Sequence, residues 1–319
     1  PKELVMNDLI VKGKVINIFC VNTPFQLFIV RLIISQYLKN ETNIIFSTIR
    51  SKDNDGDTIH INKSLVGLWN LRRYLSFIKN NIEKCSFFIP HLNSLLASIF
   101  YDFSVKYARP INVFYEGVAL YYDPIVEIPY YKRIMRKMQA LLLGYRYQYY
   151  EQLFPRAFID RVNNCYAPKD ILLEKYKMVY TFTFPQNKVS EDGAVLVLLS
   201  NKIAGSTIFE LSQILVNVLK NSPINKVYIK PHYELEYRDI ERVRIFLNGK
   251  LKNNLEILDK KTPIELLYTE LAFSVVVSQA FSSALINMKL IFQQQPKIYI
   301  IEKDKEMYQI AKRFCLDYE

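Results

Sequence analysis

The chain has 319 residues, half of them hydrophobic and 14% aromatic, with a formal net charge of +11 at pH 7. This apolar content is enough to fill packed cores, which excludes a disordered chain, and no stretch has the ~20 predominantly apolar residues of a membrane-spanning helix. The length predicts two domains of roughly 150 residues each.

The first half of the chain predicts strands that alternate with helices, the pattern of a parallel sheet covered on both faces. Asn22-Thr23-Pro24 follows the first strand and is typical of a helix start. The predicted strands are 15–21, 43–47, 86–89 and 111–114, and the predicted helices are 25–38, 64–82 with a break near its middle, and 92–101.

Residues 130–151 predict a basic amphipathic helix, because five Lys and Arg residues stand among apolar and tyrosine side chains against one acid. A helix packed on its domain with a solvated basic face is one interpretation. Contact with an anionic inner membrane leaflet is the other. The sequence does not decide between them.

Loop signals between 155 and 192 predict a hinge, so we expect an N-terminal domain of residues 1–190 and a C-terminal domain of 191–319. Two consecutive Rossmann-like α/β domains facing a central cleft form the GT-B architecture, which is the fold we expect. In the C-terminal domain the predicted strands are 194–199, 226–229, 255–258, 273–277 and 297–301, and the predicted helices are 206–220, 236–247, 263–268, 282–288 and 306–315.

The cysteine spacing and the net charge limit the location and the binding partners that we expect. The four cysteines are scattered, which argues against a disulfide framework or a zinc site and predicts a reducing, cytoplasmic location. The basic balance predicts an acidic small substrate or an anionic membrane surface. Neither an RNA-binding signature nor zinc-finger spacing occurs, so nucleic acid is not an expected partner. The oligomeric state stays open, a homodimer included.

His232 is the first candidate for chemistry, because it stands where the strand 226–229 ends. Ligands bind at the carboxyl ends of strands in open α/β sheets. As imidazolium, His232 could protonate or neutralise a departing phosphate, and Lys230 could add charge or reach a nucleobase. A structural histidine is the alternative.

Glu116 follows the strand 111–114 and precedes Gly117, a residue that permits a sharp turn and close approach of a ligand. This carboxylate could take a proton from an acceptor hydroxyl, with Asp123 and Glu127 as rivals. The alternative is a turn or capping acid.

Three further groups of polar residues stand at helix starts. Ser282 and Ser283 would open a helix and offer hydroxyl and N–H groups to an anion, unless Ser282 is only an N-cap. Glu265 could hold two ribose hydroxyls or complement a helix dipole. In the first domain the candidates for sugar contact are on the first strand-to-helix turn, where capping is the alternative role: Asn22, Thr23 and Gln26.

Four short motifs in this order give the chain a resemblance to a known family. They are Thr23-Pro24-Phe25-Gln26, Tyr115-Glu116-Gly117, His232-Tyr233 and Ser282-Ser283. Together they resemble the bacterial sialyltransferases, most closely glycosyltransferase family 52, the lipooligosaccharide and capsule enzymes. Tyr115 stands where the family has a first acid, and Tyr233 where it has Pro.

The resemblance implies inverting, metal-independent transfer of sialic acid from CMP-sialic acid to a terminal galactose of a bacterial surface glycan, with no cofactor. It assigns an acceptor side to the first domain and the donor to the second. The implied roles are general base for Glu116, general acid for His232, cytidine binding for Lys230 and Glu265, and phosphate binding for Ser282 and Ser283. The alternatives are a GT-B transferase using another nucleotide sugar and a non-catalytic, membrane-associated polysaccharide-assembly protein.

Overall fold

The chain divides into two compact units, Pro1–Thr183 and Phe184–Glu319. The computed structural model describes residues 15–49, 58–62, 64–117, 120, 127–145, 147–169, 175–184, 193–221, 224, 226–251, 254–268, 271, 273–290, 292, 294–303, 309, 311, 312, 316 and 318.

The first unit is built on one parallel sheet with strand order β3-β2-β1-β4-β5-β6-β7. Its strands are β1 (Ile16–Val21), β2 (Thr42–Ser47), β3 (Thr58–His60), β4 (Cys85–Ile89), β5 (Ile111–Phe114), β6 (Val162–Pro168) and β7 (Val179–Phe182). Its helices are α1 (Pro24–Tyr37), α2 (Leu65–Asn80), α3 (Leu95–Tyr107), α4 (Tyr130–Leu143) and α5 (Arg156–Ile159).

The central strands of this sheet are largely apolar because both of their faces are covered. Every residue of β1 is buried. In the parallel register Ile18 lies between Ile44 of β2 and Phe87 of β4. The rings of Phe19 and Phe88 stack with their centroids 4.3 Å apart. Because the chain runs from β1 outwards to β2 and β3 and then returns to β4, the strand order reverses between β1 and β4.

The second unit repeats this plan on a smaller parallel sheet with strand order β10-β9-β8-β11-β12. The strand order reverses here between β8 and β11. Its strands are β8 (Ala194–Leu198), β9 (Lys226–Lys230), β10 (Asn254–Ile257), β11 (Phe273–Ala280) and β12 (Lys297–Glu302). Its helices are α6 (Gly205–Lys220), α7 (Tyr237–Asn248), α8 (Ile264–Leu267) and α9 (Ser283–Leu290).

The second core lies between this sheet and helices α6 and α7. Val197 and Ile229 on the sheet, and Leu211, Leu215 and Leu247 on the helices, belong to one buried apolar cluster. Helix α6 turns its apolar stripe inwards, as expected for a helix that covers a sheet. The predicted α/β alternation of this half of the chain is confirmed.

Several predicted elements are wrong in extent. Helix α2 is continuous, although a break was expected near its middle. The predicted hinge at 155–192 contains α5, β6 and β7, and the two strands extend the first sheet. Strand β3 was not expected. The closing helix 306–315 lies largely outside the described residues.

Helix α4 ends at Leu143, whereas the basic amphipathic pattern predicts a helix to residue 151. Gly144 terminates it with a left-handed backbone (φ +82°), the conformation that glycine adopts at low cost. Among the helices that the structure describes, none combines the length and apolar character needed to cross a membrane.

Candidate functional site

A cluster of three largely buried side chains lies at the carboxyl edge of the first sheet, where its strand order reverses. We call Gln26, His91 and Glu116 the Glu116 cluster. Gln26 comes from the first turn of α1, His91 from the connection after β4, and Glu116 from the end of β5. Glu116 Oε2 accepts a hydrogen bond of 2.8 Å from Gln26 Nε2 and lies 3.3 Å from His91 Nε2. Such a reversal point is where α/β sheets bind ligands.

Gln26 is fixed by the way in which α1 begins. Thr23 is the N-cap, and its Oγ1 accepts a bond of 3.2 Å from the backbone N–H of Gln26. Gln26 Oε1 in turn accepts a bond of 2.7 Å from the backbone N–H of Asn22. This is a variant of the reciprocal capping arrangement of helix N-termini. It leaves Nε2 of the buried Gln26 directed at Glu116, so Gln26 positions the carboxylate.

His91 was not among the predicted site residues. Its Nδ1 accepts a 3.0 Å hydrogen bond from the backbone N–H of Asn93. In the neutral ring the proton must therefore sit on Nε2, which faces Glu116 Oε2. His91 thus donates to the carboxylate in its neutral form and forms an ion pair with it when protonated.

The environment of Glu116 favours a carboxyl group that can take up a proton. Burial raises the pKa of Glu116, and the charge of His91 and the hydrogen bond from Gln26 act in the opposite direction. Glu116 Oε1 is buried and has no hydrogen-bond partner among the described residues. A buried carboxylate oxygen without a partner costs free energy, so this atom is suited to a substrate hydroxyl.

The other candidate residues of the first domain differ in burial and in backbone conformation. Gly117 is buried and has φ of +111°, a backbone that requires glycine and turns the chain sharply after Glu116. Glu127 is exposed. Asp123, the other rival acid, lies outside the described residues. Asn22 and Thr23 are half-buried at the start of α1, where both take part in capping.

Lys230 lies at the carboxyl edge of the second sheet, at the end of β9, and is only 8% exposed. Its Nζ donates to the backbone oxygens of Pro231 (3.2 Å) and Asp259 (3.0 Å). Burial lowers the pKa of Lys230 to about 8, against the charges of Glu265 and Asp259, which raise it. The side chain is therefore a buried cation with an incompletely compensated charge.

Glu265, on α8, is a buried acid whose charge acts on the pKa of Lys230. Its Oε1 accepts a 2.8 Å hydrogen bond from Asn287 Nδ2 of α9. Burial raises the pKa of Glu265, and the bond from Asn287 and the charge of Lys230 lower it. Asn287, which sequence reasoning missed, thus joins the acid to the helix that begins with Ser283.

His232 is half-buried beyond the end of β9. Its Nδ1 accepts a 3.2 Å hydrogen bond from the backbone N–H of Glu234, which leaves the proton of the neutral ring on Nε2. Burial lowers the pKa of His232, and the charge of Lys230 lowers it further against the opposing effect of Glu234. This shift favours the neutral ring over the predicted imidazolium. The group that can donate is the Nε2–H of neutral imidazole.

The two predicted serines lie at the start of α9, as expected. Ser282 Oγ accepts a 3.2 Å hydrogen bond from the N–H of Ala284, so this hydroxyl serves as a local cap. Ser283 is the first residue of the helix. Gln279, which was not among the predicted site residues, is buried and holds the connection after β8. Its amide donates to Lys202 O (2.7 Å) and accepts from Ser200 N–H (3.0 Å).

Solved structures with the same fold include an epimerase, a transferase and MnaA of S. aureus. No protein-family model and no curated protein matches the sequence. The chain is similar to a ugt transferase from Siraitia grosvenorii in complex with UDP, at 10% identity and TM-score 0.53 over 95% of this chain and 83% of that one. It has the GT-B fold. MnaA of S. aureus, solved with UDP, is 10% identical with a TM-score of 0.51, over 95% of this chain and 88% of that one. The UDP-N-acetylglucosamine 2-epimerase of Rickettsia bellii is 11% identical with a TM-score of 0.50, over 91% of this chain and 80% of that one.

The resemblance to family 52 sialyltransferases is wrong. The similar structures named above are a UDP-N-acetylglucosamine 2-epimerase and two proteins solved with UDP, not enzymes that use CMP-sialic acid. The physical reason is that the motifs meet local folding requirements. Thr23 and Gln26 cap α1, and Ser282 caps α9. A Rossmann-like domain of any family needs such residues where strands pass into helices.

Proposed function

We propose that the protein is an inverting glycosyltransferase that uses a UDP-sugar, with Glu116 as the general base. The observation that carries the proposal is the buried Oε1 of Glu116, at the reversal point of a GT-B domain, for which the described part of the chain offers no hydrogen-bond partner. The roles implied for Lys230, Glu265, Ser282 and Ser283 are kept, with UDP in place of CMP. The proposal also keeps sugar contact as the role of four residues of the first unit: Asn22, Thr23, Gln26 and Gly117.

The proposed reaction moves one proton and exchanges one glycosidic bond. The acceptor hydroxyl oxygen attacks the anomeric carbon of the donor, and its proton passes to Glu116 Oε1. The bond from that carbon to the phosphate oxygen breaks, and UDP leaves with the electron pair. His91 and Gln26 hold Oε2 by hydrogen bonds, so Oε1 is left to accept the proton. A raised carboxyl pKa brings the base closer to neutral operating pH.

The second unit supplies the groups that fit a nucleotide diphosphate. The N-terminus of α9 offers backbone N–H groups and the Ser283 hydroxyl to phosphate oxygens. Lys230 is a buried cation whose charge an anionic ligand would stabilise. The Nε2–H of neutral His232 can donate a hydrogen bond to the departing phosphate. UDP is favoured as the nucleotide because the similar proteins from S. aureus and Siraitia grosvenorii were solved with UDP.

Nucleotide binding is tested by thermal unfolding with UDP and with CMP at equal concentration. We expect UDP to raise the melting temperature, because a ligand that binds only the folded state stabilises it. Ser283→Ala should weaken this shift, and the control Ser76→Ala, at an exposed position on α2, should leave it unchanged. A larger shift with CMP, or none with UDP, contradicts the donor assignment.

The base is tested with Glu116→Gln, which keeps the shape of the side chain and both hydrogen bonds through its carbonyl oxygen. We expect transfer to fall by about 100-fold to 10,000-fold, the contribution of a general base, with UDP binding retained. Glu127→Gln is the matched control at an exposed acid. A normal transfer rate in Glu116→Gln would show that Glu116 is not the general base.

His91 is tested as a positioning residue with His91→Ala. Because His91 lowers the pKa of Glu116, its removal should raise that pKa. The acidic limb of the pH profile of kcat/KM should then move to higher pH, which a purely structural role would not cause. An unmoved limb contradicts the assignment.

A UDP-sugar 2-epimerase is the second candidate, because the similar structure from Rickettsia bellii carries that name. Such an enzyme would invert carbon 2 of the donor with no acceptor present. Incubation with UDP-N-acetylglucosamine alone, followed by NMR, separates the two. A 2-epimeric product favours the epimerase. A glycoside formed only with an added acceptor favours the transferase.

A further inference from the structure

The outer side of α4 is an apolar surface exposed to solvent. Seven of its side chains are between 40 and 77% exposed, although all are large and hydrophobic. They lie in two adjoining rows with spacings of three and four residues, which places them on one side of the helix. We call this surface the outer face of α4, and it consists of Tyr130, Tyr131, Ile134, Met135, Met138, Leu141 and Leu142.

The opposite side of α4 is already attached to the first unit. Ala140 and Leu143 are buried there. Arg133 Nε donates a 2.7 Å hydrogen bond to the oxygen of Ile128. Arg136 NH1 donates to Asn93 O at 2.9 Å. Helix α4 therefore already packs on the first unit through its other side, and the outer face is not needed for that packing.

The charges around the outer face are of one sign. Helix α4 contains four Lys and Arg residues and no acid. Because the two arginines bond inwards, the exposed cations are Lys132 and Lys137, which lie on either flank of the apolar rows. Exposed tyrosines occupy its first turn. An apolar face with flanking cations and aromatic residues is the pattern of helices that lie in a membrane interface.

We propose that the outer face of α4 binds the surface of an anionic lipid bilayer. Its apolar side chains enter the boundary between headgroups and acyl chains, and Lys132 and Lys137 contact anionic headgroups. A second copy of the chain fits less well, because two such faces would bring lysines together with no acid on α4 to pair them. The net charge of +11 also favours binding to an anionic surface. This inference does not depend on the reaction proposed above.

The test is co-sedimentation of the full chain with vesicles of phosphatidylglycerol and phosphatidylcholine, and with vesicles of phosphatidylcholine alone. We expect binding to the anionic vesicles, weakened by salt, and little to the neutral ones. The triple variant Met135→Ser, Met138→Ser and Leu141→Ser should lower the partition coefficient about tenfold or more, because buried methylene groups supply the affinity. Since these residues are exposed, its thermal unfolding should match that of the wild type.

Matched controls come from the second unit, where Phe209 and Ile245 are 53 and 64% exposed. Phe209→Ser with Ile245→Ser should leave vesicle binding unchanged. Lys132→Glu with Lys137→Glu should remove the preference for anionic vesicles.

Three results would overturn the proposal. One is wild-type binding by the triple variant, and another is no binding of the wild type to anionic vesicles. The third is a concentration-dependent dimer, seen by sedimentation velocity, that the triple variant abolishes while vesicle binding is absent. That result would assign the outer face of α4 to a second copy.

Discussion

Replacing Lys230 by Met should stabilise the protein at pH 7, because the fold holds this ammonium group at a cost. Burial lowers the pKa of Lys230 from 10.5 to about 8. At about 1.4 kcal/mol for each pKa unit, the charged form is penalised by about 3 kcal/mol. The variant also loses two hydrogen bonds to backbone oxygens, each contributing about 1 kcal/mol. We therefore expect a net gain of about 1 kcal/mol in the free energy of unfolding.

The pH dependence tests this reasoning more sharply than the gain itself. At pH 7 the wild type carries nearly the full penalty. Between the folded and the unfolded pKa the unfolded chain binds more protons, so the stability of the wild type rises with pH. The advantage of Lys230→Met should consequently fall by about 2–3 kcal/mol between pH 7 and about pH 10, and change sign.

Urea unfolding of both proteins at several pH values provides the measurement. The control is Lys226→Met on the same strand, whose ammonium lies 2.9 Å from Glu256 and whose pKa is raised by hydrogen bonds to Tyr228 and Glu256. This variant should be destabilised at pH 7. An advantage of Lys230→Met that is the same at both ends of the pH range would refute the reasoning, as would an equal response of the control.

Three other perturbations have defined outcomes. Gly117→Ala should lower the free energy of unfolding by about 1–3 kcal/mol in urea, because φ of +111° strains any side chain; an unchanged midpoint would contradict this. Asn287→Ala should cost about 1.5–3 kcal/mol by breaking its bond to buried Glu265. Its loss should grow as pH rises through the raised pKa of Glu265, and a loss independent of pH would not fit. Iodoacetamide and peptide mapping should find the buried thiols, with pKa values of about 12, unmodified until urea is added: Cys20, Cys85 and Cys165.

The sequence predicted the alternation of strands and helices because buried parallel strands are written as short apolar runs. It failed at β6, where Asn163-Asn164 and Pro168 are typical of loops. In the sheet these asparagines have partners on β5. Asn163 Oδ1 accepts from the N–H of Ile111, and Asn164 Nδ2 donates to Asn112 Oδ1. Such partners come from strand order, which local patterns do not contain.

His91 shows the same limit in the candidate site. Pro90-His91 follows β4 as Pro231-His232 follows β9, so the rule that selected His232 applied equally to His91. What distinguishes His91 is its partner, Glu116, at the end of the neighbouring strand β5. Adjacency of β4 and β5 is a property of the folded sheet. Likewise, burial of Lys230 depends on surrounding elements, and a lysine after a strand gives no sign of it.

The connection between β4 and α3 links two parts of the first unit mechanically. Asn93 receives Arg136 of α4 on its backbone oxygen, while its N–H holds Nδ1 of His91. A force applied to α4 therefore reaches the imidazole through a single residue. If such a movement broke the hydrogen bond to Nδ1, the neutral ring could carry its proton there instead of on Nε2, and Glu116 Oε2 would lose a donor.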